Sequence, residues 1–383
     1  MDNTSYIEIS KKAYKSNIKF LKKVVGDNVK ISSVVKGNAY GHGYEQMIPL
    51  AEENGINHFS VFSASEAKQV FKYASKASDI MIFGLINTKQ LEWVISNDIE
   101  FYIYDIPGIE NAGKTAKYLN KKAKIHIEFE TGFKRTGIEP EEFDSLILYL
   151  HDNSDFFEIK GMCTHFAGAE SIANYVRVKN QLILFKKYHR YFVENNIIAE
   201  YFHTASSSAT LIYPETRFNM VRVGIAEYGF WPTPEVLILR NNKYGDKESS
   251  LKRVISWKSE IMTIKKVKKS EFVGYGNSFQ AAKDMSVAII PVGYNNGYSR
   301  SLSNRGHVLI HGQRCDVLGL VTMNTITVNI TDVKNAANGD EVILIGNHNK
   351  KKISVASFSE MSNYLNYQIL ARLPIDIPRF VVE

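Results

Sequence analysis

Eight short runs rich in apolar and β-branched residues recur between residues 30 and 225, most of them separated by amphipathic segments of helical length. The runs cover 30–36, 58–62, 80–84, 100–104, 124–130, 158–165, 200–205 and 220–225. Helical periodicity is legible at 65–73, 90–95 and 112–119, and most clearly at 175–195, where apolar residues return every three or four positions. Strands that alternate with helices predict a parallel sheet, because each crossover must carry the chain back to the same edge. Eight such units over this length fit a closed (β/α)8 TIM barrel better than an open doubly wound sheet. The dinucleotide fingerprint of the open sheet is missing, since Gly41-His42-Gly43 is followed by Gln46 where a third glycine or alanine belongs. No phosphate-binding G-x-x-x-x-G-K-[ST] loop follows the first strand either.

The texture changes after Trp231. Pro232, Pro234 and the polar run 241–250 read as a connection. From Ser256 onward short alternating runs with glycine turns predict a mainly β domain. The expected organisation is a barrel over 10–232 and a β-rich domain over 250–383, with an N-terminal strand at 1–9 packing with the latter. Two cysteines, Cys163 and Cys315, lie far apart and imply no disulfide framework. The N-terminus lacks an apolar signal segment, and no apolar run reaches the roughly 20 residues of a membrane span. These features point to a cytoplasmic setting and exclude a membrane partner. The formal charge of +7 comes from 47 basic and 40 acidic residues. Its densest runs, 265–269 and 350–352, carry no interleaved aromatics for base stacking, so they read as solvated faces and not as nucleic-acid sites.

In a barrel the groups that act lie at the C-terminal strand ends. Read in order, those ends give Lys36, Arg135, His165, Ser207 and Arg222, with Glu128 and Glu130 on the fifth strand. So donor-rich a set suits a phosphorylated or carboxylated ligand. An amine at a buried strand end is pushed toward its neutral form, the form that attacks a carbonyl carbon. Gly37, Gly41 and Gly43 allow close backbone approach, and the Tyr40 hydroxyl is within chain reach of a phosphate. The histidines His42, His126, His165 and His203 lack the short paired spacing of a metal site, so no metal is expected. Ser206–Ser208 lacks the G-x-S-x-G elbow of a serine nucleophile.

The stretch VVKGNAYGHG, residues 34–43, resembles the pyridoxal-phosphate lysine motif of the alanine racemase family. Further segments resemble that family in its order: ETGFKRTGI (130–138), THFAGAE (164–170), HTASSSATL (203–211) and FNMVRVGIAEYG (218–229). The β domain adds VGYGNSF (273–279), IPVGYNNGYSRSLSN (290–304), VTMNT (321–325) and LNYQIL (365–370). The resemblance implies a pyridoxal 5'-phosphate-dependent amino-acid racemase. Lys36 would hold the cofactor and act on the D side of the substrate Cα. Tyr275, reaching in from the other subunit of a homodimer, would act on the L side. Tyr40, Ser207, Tyr367 and the amides of Gly224 and Ile225 would hold the phosphate. Arg222 would face the pyridine nitrogen, with His165 supporting it. Arg135 and the Met323 amide would grip the substrate carboxylate, with Tyr294 in the entry channel. Alanine is the expected substrate, with serine, glutamate or lysine, or cofactor binding without catalysis, as the alternatives.

Two departures from the family pattern stand out. Glu128 occupies the position of a lysine that carries carbon dioxide in many relatives, so it is expected to supply that anion to Arg135 without modification. Thr322, Asn324 and Asn295-Asn296 replace a cysteine and acidic residues, which removes negative charge near the expected channel.

Overall fold

The computed structural model describes residues 3–349, 351–355 and 366–383, with the side chain of Asn366 not described. Met1 and Asp2 of the expected first strand, Lys350 of the basic run and Leu365 of the LNYQIL segment lie outside them. The chain divides into two compact units. One comprises 13–36 and 47–252, the other 1–12, 37–46 and 253–383.

The first strand, β1 (Ser5–Ser10), belongs to the second of these units. The first unit is built on eight parallel strands. They are β2 (Lys30–Val34), β3 (His58–Val61), β4 (Asp79–Ile82), β5 (Glu100–Ile103), β6 (Ala123–Glu128), β7 (Phe157–Cys163), β8 (Tyr201–His203) and β9 (Met220–Val223). Their order is β8-β7-β6-β5-β4-β3-β2-β9, each pair parallel. The two ends of this path are joined by single hydrogen bonds and not by a ladder. Arg222 N–H donates to Ala205 O at 2.9 Å, and Phe202 N–H to the Asn219 side chain at 2.6 Å. The sheet therefore forms a nearly closed (β/α)8 barrel. Every residue of β3, β5 and β9 is buried, as expected of parallel strands covered on both faces.

The outer helices begin where short polar side chains can satisfy their first N–H groups. Ser63 and Glu66 form a capping box at Ala64–Tyr73, and Asn87 with Gln90 does the same at Thr88–Ser96. The helix read from Ala112 starts earlier, at Ile106, because Asp105 caps Gly108 N–H at 2.7 Å and Pro107 sits in the first turn. The segment after Trp231 is likewise more ordered than its prolines suggest. Pro234 opens a helix, Pro234–Tyr244, capped by Thr233 and closed by Gly245 at φ 70°. Proline already has helical φ and needs no N–H at that position, so it began an element that was read as a connection.

The second unit is mainly β. Its remaining strands are β10 (Ile255–Glu260), β11 (Thr263–Val267), β12 (Met285–Ile290), β13 (His307–Ile310), β14 (Gln313–Leu318), β15 (Ile326–Asn329), β16 (Glu341–His348), β17 (Lys351–Ile353) and β18 (Arg379–Val382). With β1 they form one sheet of order β11-β12-β15-β14-β13-β16-β10-β1-β18, with β17 on β16. β1 pairs antiparallel with β10, placing Ile7 opposite Trp257, and parallel with β18. Val267, Val273, Ala281, Met285, Val287 and Leu318 form a compact apolar cluster under this sheet.

Candidate active site

The barrel strand β2 ends one residue before Val35, whose N–H donates to Ser60 O of β3 at 2.9 Å. Lys36 follows, and its side chain is open to solvent with Nζ 5.5 Å from the centre of the Phe83 ring. Protein around the amine lowers its pKa from the ordinary 10.5, first by desolvation and next through the charge of Arg135. That direction favours the nucleophilic, unprotonated form.

Directly after Lys36 the backbone turns left-handed. Gly37, Asn38, Ala39 and Tyr40 have φ of 63°, 54°, 53° and 50°. Only glycine enters this region without a steric cost, which for other L residues is about 1–2 kcal/mol each. Hydrogen bonds offset that cost. Asn38 Oδ1 accepts from Tyr44 N–H at 3.1 Å, and the Tyr44 hydroxyl accepts from Asn38 N–H at 3.2 Å. Gly41 O accepts from Arg379 Nε at 2.9 Å. A side chain at Gly41 would place Cβ 2.1 Å from Leu370 O, so this turn lies tight against the helix Asn366–Ala371 that carries Tyr367. Tyr40 and Tyr367 are thus gathered within the second unit.

At the other strand ends of the barrel the expected residues converge. Arg222 is buried on β9 and donates to His203 O at 2.7 Å, Thr164 O at 2.9 Å and the Nδ1 atoms of His203 and His165. Burial, then the charges of Arg222, Arg135 and Lys36, push His165 down to about 3, so it stays a neutral imidazole. Ser207 is buried, and its hydroxyl accepts from Gly224 N–H at 2.9 Å, which joins the two segments expected to hold an anion. Arg135 is exposed, with its guanidinium carbon 4.4 Å from the centre of the Phe133 ring, while Phe133 meets His165 edge-on at 5.6 Å. Glu128 is buried on β6 with Oε2 free of hydrogen bonds. Burial raises its pKa, partly offset by a bond from Thr136 and by Arg222 and Arg135. Among the described residues it forms no ion pair with Arg135.

The β unit holds the remaining expected residues. Tyr294 N–H donates to Thr322 O at 3.0 Å and Asn295 N–H to Met323 O at 2.9 Å, so Tyr294 and Met323 share one surface, both exposed. Tyr275 stands between Gly274 (φ 75°) and Gly276 (φ 64°) and is 73% exposed, away from that pair's hydrogen bonds. Among the described residues there is no group of three or more His, Cys, Asp or Glu side chains arranged to hold a metal ion.

Sequence reading missed the barrel interior. His58, Glu100, His126 and His203 are wholly buried and hydrogen-bonded to one another below Arg222. The available signal was polar residues at core positions of apolar strands, such as the histidine inside KIHIEF.

The fold and site together define a barrel protein with a lysine, two arginines and a hydroxyl at the strand ends, joined to a β domain. Residues 9–232 match the model of the alanine racemase N-terminal domain, and 254–381 that of the C-terminal domain. The chain belongs to the alanine racemase family. It is 31% identical over 389 residues to an alanine racemase of Leptospira interrogans, covering 99% of this chain and 96% of that one. An alanine racemase structure from Clostridium difficile 630 superposes with a TM-score of 0.92 at 26% identity, covering 100% of this chain and 96% of that one. One from Bartonella henselae, with covalently bound pyridoxal phosphate, gives 0.84 at 26% identity, covering 99% and 100%.

Proposed function

We propose that this protein is an alanine racemase that interconverts L- and D-alanine, using pyridoxal 5'-phosphate and acting as a cytoplasmic homodimer. The observation that carries this reading is the pairing of a pKa-lowered amine, Lys36, with a buried arginine, Arg222, at the strand ends of one barrel. The donor set fits the cofactor. Lys36 offers the amine for a covalent link, while Ser207, the amides of Gly224 and Ile225, Tyr40 and Tyr367 are suited to a phosphate. When bound, the cofactor supplies an aldehyde for that amine and a conjugated ring that delocalises the charge left when Cα gives up its proton.

The chain's own residues supply the rest. The Lys36 amine would take or return a proton on the D face of Cα. Tyr275 of the partner subunit does the same on the L face, and its exposure between two glycines suits a group that must reach out from its own chain. Arg222 carries only donors and keeps its charge, so it would give no proton to a ring nitrogen held against it. A ring nitrogen left unprotonated in this way would make the cofactor a weaker electron sink, which would favour reprotonation at Cα over transamination. Arg135, seated over the Phe133 ring, and the Met323 amide suit the substrate carboxylate. Glu128 offers a carboxylate without modification, and its Oε2 is an acceptor without a hydrogen bond close to the charge of Arg135. The two cysteines, free and buried, are compatible with a reducing compartment.

The test is purified protein with pyridoxal phosphate, assayed for enantiomer exchange of L- and D-alanine and then across serine, glutamate and lysine. Equilibration of alanine faster than of the others is the expected result. Absence of turnover for every amino acid, although the lysine-linked cofactor is visible in the absorption spectrum, would leave a cofactor-binding protein instead.

A further inference from the structure

Glu100 opens β5 at the N-terminal end of the barrel strands, the end opposite that of the groups discussed above. Its Oε2 receives two histidine nitrogens, His126 Nε2 at 2.8 Å and His58 Nε2 at 3.0 Å. His126 Nδ1 in turn meets His203 Nε2 at 2.8 Å, and His203 Nδ1 meets Arg222 Nη1. His58 Nδ1 continues to Ser32 Oγ at 2.8 Å. All four members of the line below Arg222 have no solvent exposure.

The direction of every bond in this line follows from its two ends. A guanidinium only donates, so His203 must accept at Nδ1 and carry its proton on Nε2. That proton faces His126 Nδ1, which must also accept, leaving the His126 proton on Nε2. It points at Glu100, and a carboxylate only accepts. One arrangement of protons satisfies all the bonds, and it requires an acceptor at residue 100. Burial holds both imidazoles neutral, with the charge of Arg222 as the next cause at His203. Glu100 is pushed up by burial, but the bonds from His126 and His58 outweigh this and keep it ionised.

The strand between the two histidines is shaped for their meeting. β7 separates β6 from β8, and Gly161 on β7 is in register with both His126 and Tyr201. A Cβ at Gly161 would lie 2.1 Å from His126 Nδ1 and 2.9 Å from His203 Nε2. The missing side chain leaves the opening through which one imidazole reaches the other.

We propose that Glu100 is a positioning residue for Arg222, fixing the proton positions of His126 and His203 so that an imidazole lone pair holds the guanidinium in place from below. Its consequence for catalysis rests on the racemase reading, but its test does not. Full-length protein labelled with ¹⁵N-histidine, first without and then with pyridoxal phosphate, is examined by NMR at neutral pH. Both His126 and His203 are expected as neutral Nε2–H tautomers in either state. Glu100→Gln keeps an acceptor oxygen and is expected to retain them. Glu100→Leu is expected to show a second, Nδ1–H form at His126 and to lower kcat/KM about 10–100-fold, with Glu100→Gln recovering most of it, the scale on which outer partners of functional histidines act. An Nδ1–H or doubly protonated ring at either histidine of the unaltered protein would overturn the proposal, even if the leucine variant does not fold. So would a Glu100→Leu spectrum unchanged at both rings. If no racemisation is found, the tautomers still decide the role of Glu100.

Discussion

Glu227 lies in the turn after β9, three residues beyond Gly224, and is wholly buried. Its carboxyl accepts from Ser33 Oγ at 2.7 Å and faces the Tyr14 hydroxyl at 3.5 Å. Its backbone oxygen accepts from Asn17 Nδ2 at 3.0 Å. It therefore ties the turn expected to hold phosphate to β2 and to the helix Lys11–Val25. Burial raises its pKa from 4.5 to about 8, the bonds from Ser33, Tyr228 and Tyr14 only partly opposing this. A carboxyl raised on folding binds its proton more tightly in the native state. Its favourable contribution is complete below about pH 4.5 and is lost as pH rises through about 8. At about 1.36 kcal/mol per pH unit the loss is about 5 kcal/mol by pH 9 and about 1 kcal/mol or less at pH 5. Glu227→Gln keeps the shape and the Ser33 bond but never ionises. Urea unfolding of both proteins should show similar stability at pH 5 and a gain for the variant that grows to about 3–5 kcal/mol at pH 9. A difference that stays constant between pH 5 and pH 9 would refute the reasoning, because it would mean that Glu227 ionises as readily inside the protein as outside.

Three further outcomes are expected. In cofactor-free protein the midpoint for acylation of Lys36 should fall below the ordinary lysine value of 10.5, and Arg135→Gln should move it back upward, as followed by peptide mass spectrometry. Tyr275→Phe should lower racemisation about 10²-fold or more, the scale of a lost acid–base group, while Cα deuterium exchange from D-alanine persists in the variant, as read by NMR. Ser63→Ala removes the cap of the helix Ala64–Tyr73 and should cost about 1 kcal/mol in a denaturant titration, with kcat unchanged.

Much of the barrel was legible because its signals are local. Strands β3, β5 and β9 are wholly buried and most of the others largely so, and 58–62 or 100–104 reads as a strand without knowledge of its neighbours. Elsewhere the same local signals are ambiguous. Pro234 reads locally as a break although proline at a helix start is favoured, and nothing local marks Asp105 as a cap. The left-handed turn after Lys36 was only half visible. Gly37, Gly41 and Gly43 signalled close approach, but Asn38, Ala39 and Tyr40 at positive φ are held there by Tyr44 and by neighbouring bonds that involve Arg379.

The order of the site residues along the chain, and the kind of ligand they suit, were determined by sequence, because strand ends and residue chemistry need no partner to be recognised. The meeting of Glu100, His126, His203 and Arg222 was decided by tertiary structure alone. His126 and His203 are 77 positions apart, and no spacing rule joins them. They touch because β6, β7 and β8 lie side by side and Gly161 leaves space between them. Once water is excluded there, each buried donor must find an acceptor, and the line from Arg222 to Glu100 offers one consistent way to satisfy them.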